Sequence, residues 1–390
     1  MDNMPKYSGS VRSLIIALAV ILLIVVVSNT AIGTTNISPV LTAKIIYMGL
    51  LEWVQGTILW TLSLLGIPFD GSALFNSISP DRTWTDGQEM IIMGIRLPRV
   101  LLAALVGAAL ATAGCSMQGL LKNPLADPYI IGMSSGAALG AAIGFTLLLP
   151  VQLISFIFAT ITIFVVYNIS KVGGKVPVDT LLLAGIAISF FLSALTSFFL
   201  FFSESLHQII YWMMGGFWNA SWDKVKITML VVFTGILFSY RHSWILNVML
   251  LGEEQAQSLG VNIESVKKQI LVISALITAA AVSVSGIIGF VGLIIPHIMR
   301  NLIGPDHRGL LPASTLMGAI FLVISDTFAR TFPSMVQAVL ESSDIMLFQV
   351  ILERVGSLQG VDLPVGIVTA LFGAPFFVYL LRKRRKSLYA

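Results

Sequence analysis

Charge is scarce in this chain of 390 residues: Asp, Glu, Lys and Arg together make up 11%, against about 25% in soluble domains. With 56% apolar residues and 33 glycines besides, the chain cannot cover a water-facing surface, and its place is a bilayer. A single cysteine, Cys115, excludes an intrachain disulfide framework and any multi-cysteine metal site. Four scattered histidines supply no metal cluster. No glycine-rich loop ends in Lys followed by Ser or Thr, so the chain has no P-loop of its own. The pI near 9.2 does not imply nucleic acid, because the basic residues interrupt apolar runs instead of forming a face.

What is there is a series of long apolar runs. A helix that crosses a bilayer needs about 20 mostly apolar residues, since hydrocarbon offers its backbone no other hydrogen-bond partner. Ten segments meet that need: residues 12–31, 91–117, 130–149, 153–168, 180–202, 225–240, 269–287, 288–302, 311–329 and 363–381. The expected fold is therefore an all-α polytopic membrane protein of about ten transmembrane helices, one permease-like domain over 1–390.

Basic residues then set the orientation. With both termini cytoplasmic, fifteen Lys and Arg fall inside and eight outside, while acids lean the other way; the inner loops net +8 and the outer −4. Residues 45–67 are long enough to cross, but they carry Glu52, Gln55, Trp53 and Trp60, which suit an interface. Were they a span, every later loop would change sides and the asymmetry would invert, so they are expected to lie on the outer surface. Residues 332–362, with an amphipathic run at 346–358, are also expected outside.

Small residues recur where helices must approach closely. Gly132, Gly136, Gly140 and Gly144 fall every fourth residue on one stripe of the third span, suited to helix packing or to lining a pathway. The second and seventh spans are alike in their small residues, and each leads into a short Gly- and Pro-containing segment. They lie five spans apart, so the two halves would be oppositely oriented, an inverted repeat of the kind that supports alternating access.

The span middles hold almost no ionisable residue, which disfavours the alternative of a secondary carrier driven by an ion gradient. Asp326 and Arg330, near the outer end of the ninth span, are spaced to pair. Energy would then enter through the cytoplasmic loop 241–268. There Leu251, Gly252, Glu253, Glu254, Ala256, Leu259, Gly260 and Val261 read as a short amphipathic helix closed by glycine, which a soluble partner can grip.

At these residues the chain resembles the FecCD and BtuC-like permeases, membrane subunits of ATP-binding-cassette importers for iron chelates, haem and vitamin B12. The strings that carry the resemblance include Arg96-Leu-Pro-Arg99, Asn123-Pro-Leu-Ala-Asp-Pro128, Gly132-Met-Ser-Ser-Gly136, Leu251-Gly-Glu-Glu with Leu259-Gly-Val261, Gly289-Phe-Val-Gly-Leu with Pro296-His297, Asp306-His-Arg308 and Asp326-Thr-Phe-Ala-Arg330.

The resemblance implies a homodimer in the cell membrane, with two ATPase subunits beneath it and an extracytoplasmic solute-binding protein above. The chain would translocate an iron-siderophore, haem or cobalamin-type chelate by alternating access and would be no enzyme itself, with ATP and Mg on the partner ATPase and no cofactor of its own. It makes the loop from Leu251 to Val261 the seat of the ATPase. Arg96, Arg99 and Arg330 match outer-face arginines that pair with glutamates of the binding protein, and Val178 and Asp179 fall at the cytoplasmic gate. The outer insertions at about 45–89 and 332–362 depart from the family's pattern on the face where the binding protein docks.

Overall fold

An apolar run placed in hydrocarbon can satisfy its backbone only within itself, so the sequence dictates helices, and helices are what form. A computed structural model describes residues 7–33, 35–64, 78–342 and 360–388, and among the described residues every named element is helical. They are α1 (Tyr7–Ala31), α2 (Pro39–Leu64), α3 (Asp86–Leu120), α4 (Met133–Thr146), α5 (Val151–Ile169), α6 (Val178–Phe202) and α7 (Leu206–Met213). They continue with α8 (Trp222–Arg241), α9 (Ser243–Leu250), α10 (Glu253–Ser258), α11 (Ile263–Ser285), α12 (Val291–Ile303), α13 (His307–Glu341) and α14 (Val365–Leu388).

Local chemistry sets the ends. Thr85 and Gln88 form a capping box at the start of α3. Ser221, Asn262 and Asp306 accept the backbone N–H groups of Lys224, Ser265 and Arg308 at the starts of α8, α11 and α13. Within α3 the turn Met90–Arg96 is wound as a π-helix, and Pro98 follows it in the first α-helical turn.

Each of the ten expected segments carries a helix, with shifted bounds. The run expected over 130–149 divides into a 3-10 turn, Pro128–Ile131, and the 14-residue α4. That run holds a left-handed glycine, Gly132, at φ 86°. The run expected to end at 329 continues as one helix to Glu341 through Pro333, because each proline removes only one intrahelical bond and the turns around it stay apolar. The second insertion thus begins as an extension of α13, and its amphipathic run at 346–358 lies outside the described residues.

The helix α2 is long and apolar enough to cross a membrane. Its first half packs on the outer end of α3: Ile45 clusters with Ile37, Trp84 and Ile92, and Gly49 lies against Met93. Ile92 and Met93 precede Arg96, which holds the end of α1, so α2 begins on the same face where α3 begins.

Packing follows the inverted repeat. In the first half a long helix, α3, leads through a break into the short α4 and then α5; in the second, α11 leads through Gly286 and Phe290 into the short α12 and then α13. The contacts correspond as well: α3 packs on α12 and α13, and α11 packs on α4 and α5. Phe290 is left-handed at φ 70° without being glycine, a conformation that costs about 1–2 kcal/mol, and its ring is held against Gly373 of α14.

At the centre α3 is buried almost throughout. Gly107 meets the backbone of Gly318 and Gly114 meets that of Gly292, while Thr112 and Thr315 share a hydrogen bond of 2.7 Å. Close approach through small residues is how helices in lipid adhere without a hydrophobic drive.

Candidate functional site

Three of the expected sites are polar clusters at the ends of these helices. At the end of the bundle expected outside, Arg96, Arg99 and Arg330 are brought together. Arg96 is buried, and its guanidinium donates to the carbonyls of Ala31 at 2.7 Å and Thr35 at 2.8 Å, capping the end of α1. Arg99 donates from Nε to both oxygens of Asp326 at 3.1 Å and from Nη1 to Asp362. Arg330 forms an ion pair with Asp326 at 3.2 Å and donates to the carbonyls of Asn29 and Ile32.

All three guanidiniums have partners inside the chain, because burial at the helix ends requires compensation of each charge. They tie α1, α3, α13 and the segment before α14 into one clamp. Asp362 and Tyr211, whose hydroxyl donates to the Asp362 carbonyl at 3.0 Å, were not singled out in the sequence. Asp362 stands 36 residues after Asp326 in the chain, and no spacing rule links them.

The Gly132, Gly136, Gly140 and Gly144 stripe is consumed by packing. A Cβ on Gly140 would sit 2.7 Å from the Ile154 carbonyl, Gly136 faces Phe158 and Thr162, and Gly144 faces Val151. All three lie against α5, and Gly132 lies against Gly185 and Ser189 of α6. The stripe therefore packs α4 against α5 and α6.

At the end expected inside, the loop from Leu251 to Val261 forms a helix, shorter than its pattern. Gly252, at φ 126°, turns the chain out of α9 into α10, and Gly260, at φ 82°, turns it towards Asn262 and α11. Ala256 is fully buried, whereas Leu251 and Leu259 are each 62% exposed and flank the helix. Glu254 is exposed, and Val261 returns its N–H to the Ala256 carbonyl at 3.1 Å. Just behind α10, Asn247 donates to Asp306 at 2.6 Å and accepts from the backbone N–H of His307 at 2.8 Å, joining α9 to the start of α13.

Val178 and Asp179 occupy the first turn of α6, after Pro177. Asp179 is exposed and Val178 half-buried. Beside Val178 lies Lys267 of α11, which with Glu264 on the same helix was not marked by the sequence pattern. Lys267 is bonded to Glu253 at 2.9 Å, and Glu264 accepts the N–H of Val176 at 3.2 Å.

A cavity of about 430 Å³ opens where the two repeat breaks meet, lined by Asp127, Tyr129, Ile130, Gly289, Phe290 and Phe377 among others. Among the described residues no group of three His, Cys, Asp or Glu could hold a metal ion.

A family model described as the FecCD transport family matches residues 21–354. The chain is 43% identical over 303 residues to the cobalamin import system permease protein BtuC of Halobacterium salinarum, covering 76% of this chain and 74% of that one. It is 36% identical over 327 residues to the hemin transport system permease protein HmuU of Yersinia pestis, covering 80% and 88%. To the Fe(3+)-citrate import system permease protein YfmD of Bacillus subtilis it is 38% identical over 304 residues, covering 76% and 83%. Its fold is similar to that of a metal-chelate type ABC transporter solved in an inward-facing conformation, with a TM-score of 0.73, 28% identity, and coverage of 95% of this chain and 99% of that one.

Proposed function

The chain belongs to the FecCD transport family and is a membrane-spanning permease subunit of an ATP-binding-cassette importer, and we propose that its cargo is a metal chelate of the cobalamin, haem or iron-siderophore kind. The relatives named for cobalamin, hemin and ferric citrate support the cargo class. The permease lies in the cell membrane and is no enzyme itself, and the hydrolysis that drives it belongs to ATPase partners. A second copy of the chain and an extracytoplasmic binding protein complete the assembly in this reading, with both termini in the cytoplasm.

The observation that carries the coupling role is α10: a one-and-a-half-turn helix anchored by the buried Ala256, presenting Leu251 and Leu259 to solvent on the inner face. Two exposed leucines flanking an anchored turn are what a groove on a soluble partner takes up. Val178 and Asp179, at the first turn of α6, stand as the inner gate, supported by the basic loop residues Lys171 and Lys175 that place this end inside. The outer clamp bears on docking too: the arginines hold α1, α3 and α13 in register beneath the binding protein, and α2 broadens that face. ATP-driven rearrangement of two inverted halves about the α3–α11 centre would expose the path alternately to each side.

An ion-gradient carrier finds no support in Asp326, which is held by Arg99 and Arg330. The test is reconstitution in proteoliposomes with the ATPase and binding-protein partners, offering cyanocobalamin, haemin and ferric citrate in turn. ATP-dependent accumulation of one of them is expected. Accumulation by the permease alone under an ion gradient would overturn the reading.

A further inference from the structure

Lys267 stands where the ATPase seat and the inner end of α6 come nearest. Its side chain is 8% exposed, and its ammonium lies 2.9 Å from Oε1 of Glu253, the first residue of α10, and 3.5 Å from Oε1 of Glu264 on its own helix. The second oxygen of Glu264 accepts the N–H of Val176 at 3.2 Å. Val176 ends a tight turn closed by the paired backbones of Val172 and Lys175. Thr180 pins that turn to the first turn of α6 by donating to the Ser170 carbonyl at 3.2 Å. A displacement at the Val176 N–H therefore carries Val178 and Asp179 with it.

The surroundings of Lys267 are otherwise apolar. Leu120, Leu121, Val176, Val178, Leu181 and Leu271 line the crevice beside it, and a Met or Leu at 267 would fill that space without the desolvation cost of an ammonium. Packing does not require the charge there. What the charge adds is direction: the ammonium pairs with two carboxylates, one on α10 and the other, on its own helix, bonded to the segment that leads into α6.

We propose, resting on the reading that α10 seats on the ATPase, that Lys267 is a positioning residue that transmits displacement of α10 to the inner end of α6. When the ATPase shifts α10, Glu253 draws the Lys267 ammonium with it. Glu264 follows the cation it shares, and its hydrogen bond to Val176 moves the first turn of α6. The relay has four members, Glu253, Lys267, Glu264 and the Val176 N–H, and Lys267 is the one all force passes through.

The experiment uses the assembled complex with its ATPase subunits. Cys115 is buried, so a cysteine placed by Asp179→Cys is the reactive thiol, and its rate of reaction with a maleimide reads the first turn of α6 with and without ATP plus vanadate. The nucleotide is expected to change that rate several-fold in the parent and in Lys267→Arg, which keeps the cation. In Lys267→Met the ratio of the two rates is expected to fall to one, with ATP hydrolysis by the same preparation reporting that the ATPase subunits are seated. Glu253→Gln, on the exposed side of the pair, carries the same expectation should Lys267→Met fail to fold. A nucleotide response that survives in Lys267→Met, or in Glu253→Gln should the former not fold, overturns the relay and leaves the permease reading intact. A parent with no ATPase associated and no response overturns both, and a parent with the ATPase seated but no response overturns the relay alone.

Discussion

Arg99 grips Asp326 with two nitrogens, Nε reaching both carboxylate oxygens at 3.1 Å and Nη2 reaching Oδ1 at 2.9 Å, across 227 positions of sequence. Arg330 pairs with the same carboxylate, whose side chain is only 2% exposed. One acid therefore compensates two buried cations, and Asp362 supplies the rest on the Arg99 side. Removing one partner of a buried pair costs about 3–5 kcal/mol, because the remaining charge is stranded. Asp326→Asn is expected to lower the thermal unfolding midpoint in detergent sharply, and Asp362→Asn to lower it less. Equal midpoints for Asp326→Asn and the parent would show that the clamp contributes nothing to the fold.

Backbone contacts between glycines leave no room for a side chain at the centre of the bundle. A Cβ on Gly114 would enter the Gly292 carbonyl, and one on Gly140 would meet the Ser155 Cα at 2.7 Å. Overpacking of a close interface costs about 1–3 kcal/mol per site. Gly114→Val and Gly140→Val should each reduce the folded, monodisperse fraction on size-exclusion chromatography, whereas Gly56→Val, at a position with open space around it, should not.

The sequence carried the helices and their order, because hydropathy is a local property and the bilayer punishes exceptions. It carried α10 as well, since a glycine on either side of an amphipathic turn is a local signal. It did not carry the fate of Arg96, Arg99 and Arg330. The internal partners of a guanidinium near a helix end are not local to it, because Ala31, Asp326 and Asp362 arrive from distant positions. The Gly132 to Gly144 stripe told of close approach without naming α5 as the neighbour. Lys267 was hidden for the same reason: one of its acids, Glu264, lies three residues before it and the other, Glu253, on a separate helix, and its burial appears only once α3 and α11 pack.

Asp127 caps the turn that follows the loop between α3 and α4, accepting the Tyr129 N–H at 2.8 Å. Burial lifts its carboxyl from 3.8 to about 6, the hydrogen bond opposing only part of that rise. A folded-state value above the unfolded one means that the folded protein holds the proton more tightly. The stabilisation is full below about pH 4 and is lost as pH rises through about 6, amounting to roughly 3 kcal/mol. The unfolding midpoint should fall between pH 4.5 and 7, and Asp127→Asn, which keeps an acceptor for Tyr129, should flatten that slope. A slope unchanged by the substitution would assign the titration to another group.

Orientation has a direct test because Cys115 is buried and gives no background. Thr83 and Ser258 are both exposed, Thr83 beside the outer end of α3 and Ser258 at the end of α10. An impermeant maleimide applied to intact cells is expected to label Thr83→Cys and to label Ser258→Cys only after the membrane is opened. Labelling in the reverse order would invert the molecule and remove α10 from the reach of a cytoplasmic ATPase.

The ATPase seat rests on few atoms, which makes it fragile in a predictable way. Leu251 and Leu259 project from either end of a nine-residue stretch within which Ala256 is fixed in the core. Small interfaces concentrate their energy in such apolar anchors, and truncating one costs about 2 kcal/mol or more, roughly thirtyfold in affinity. Because both side chains already face solvent here, changing them leaves the bundle's own packing untouched. Leu251→Asp and Leu259→Asp should therefore preserve the unfolding midpoint of the isolated permease while weakening co-purification of the ATPase subunits by at least that factor. Glu254→Gln, exposed beside them, is expected to do less. Intact co-purification in the double variant Leu251→Asp with Leu259→Asp would move the seat away from α10, and the relay through Lys267 would lose its input.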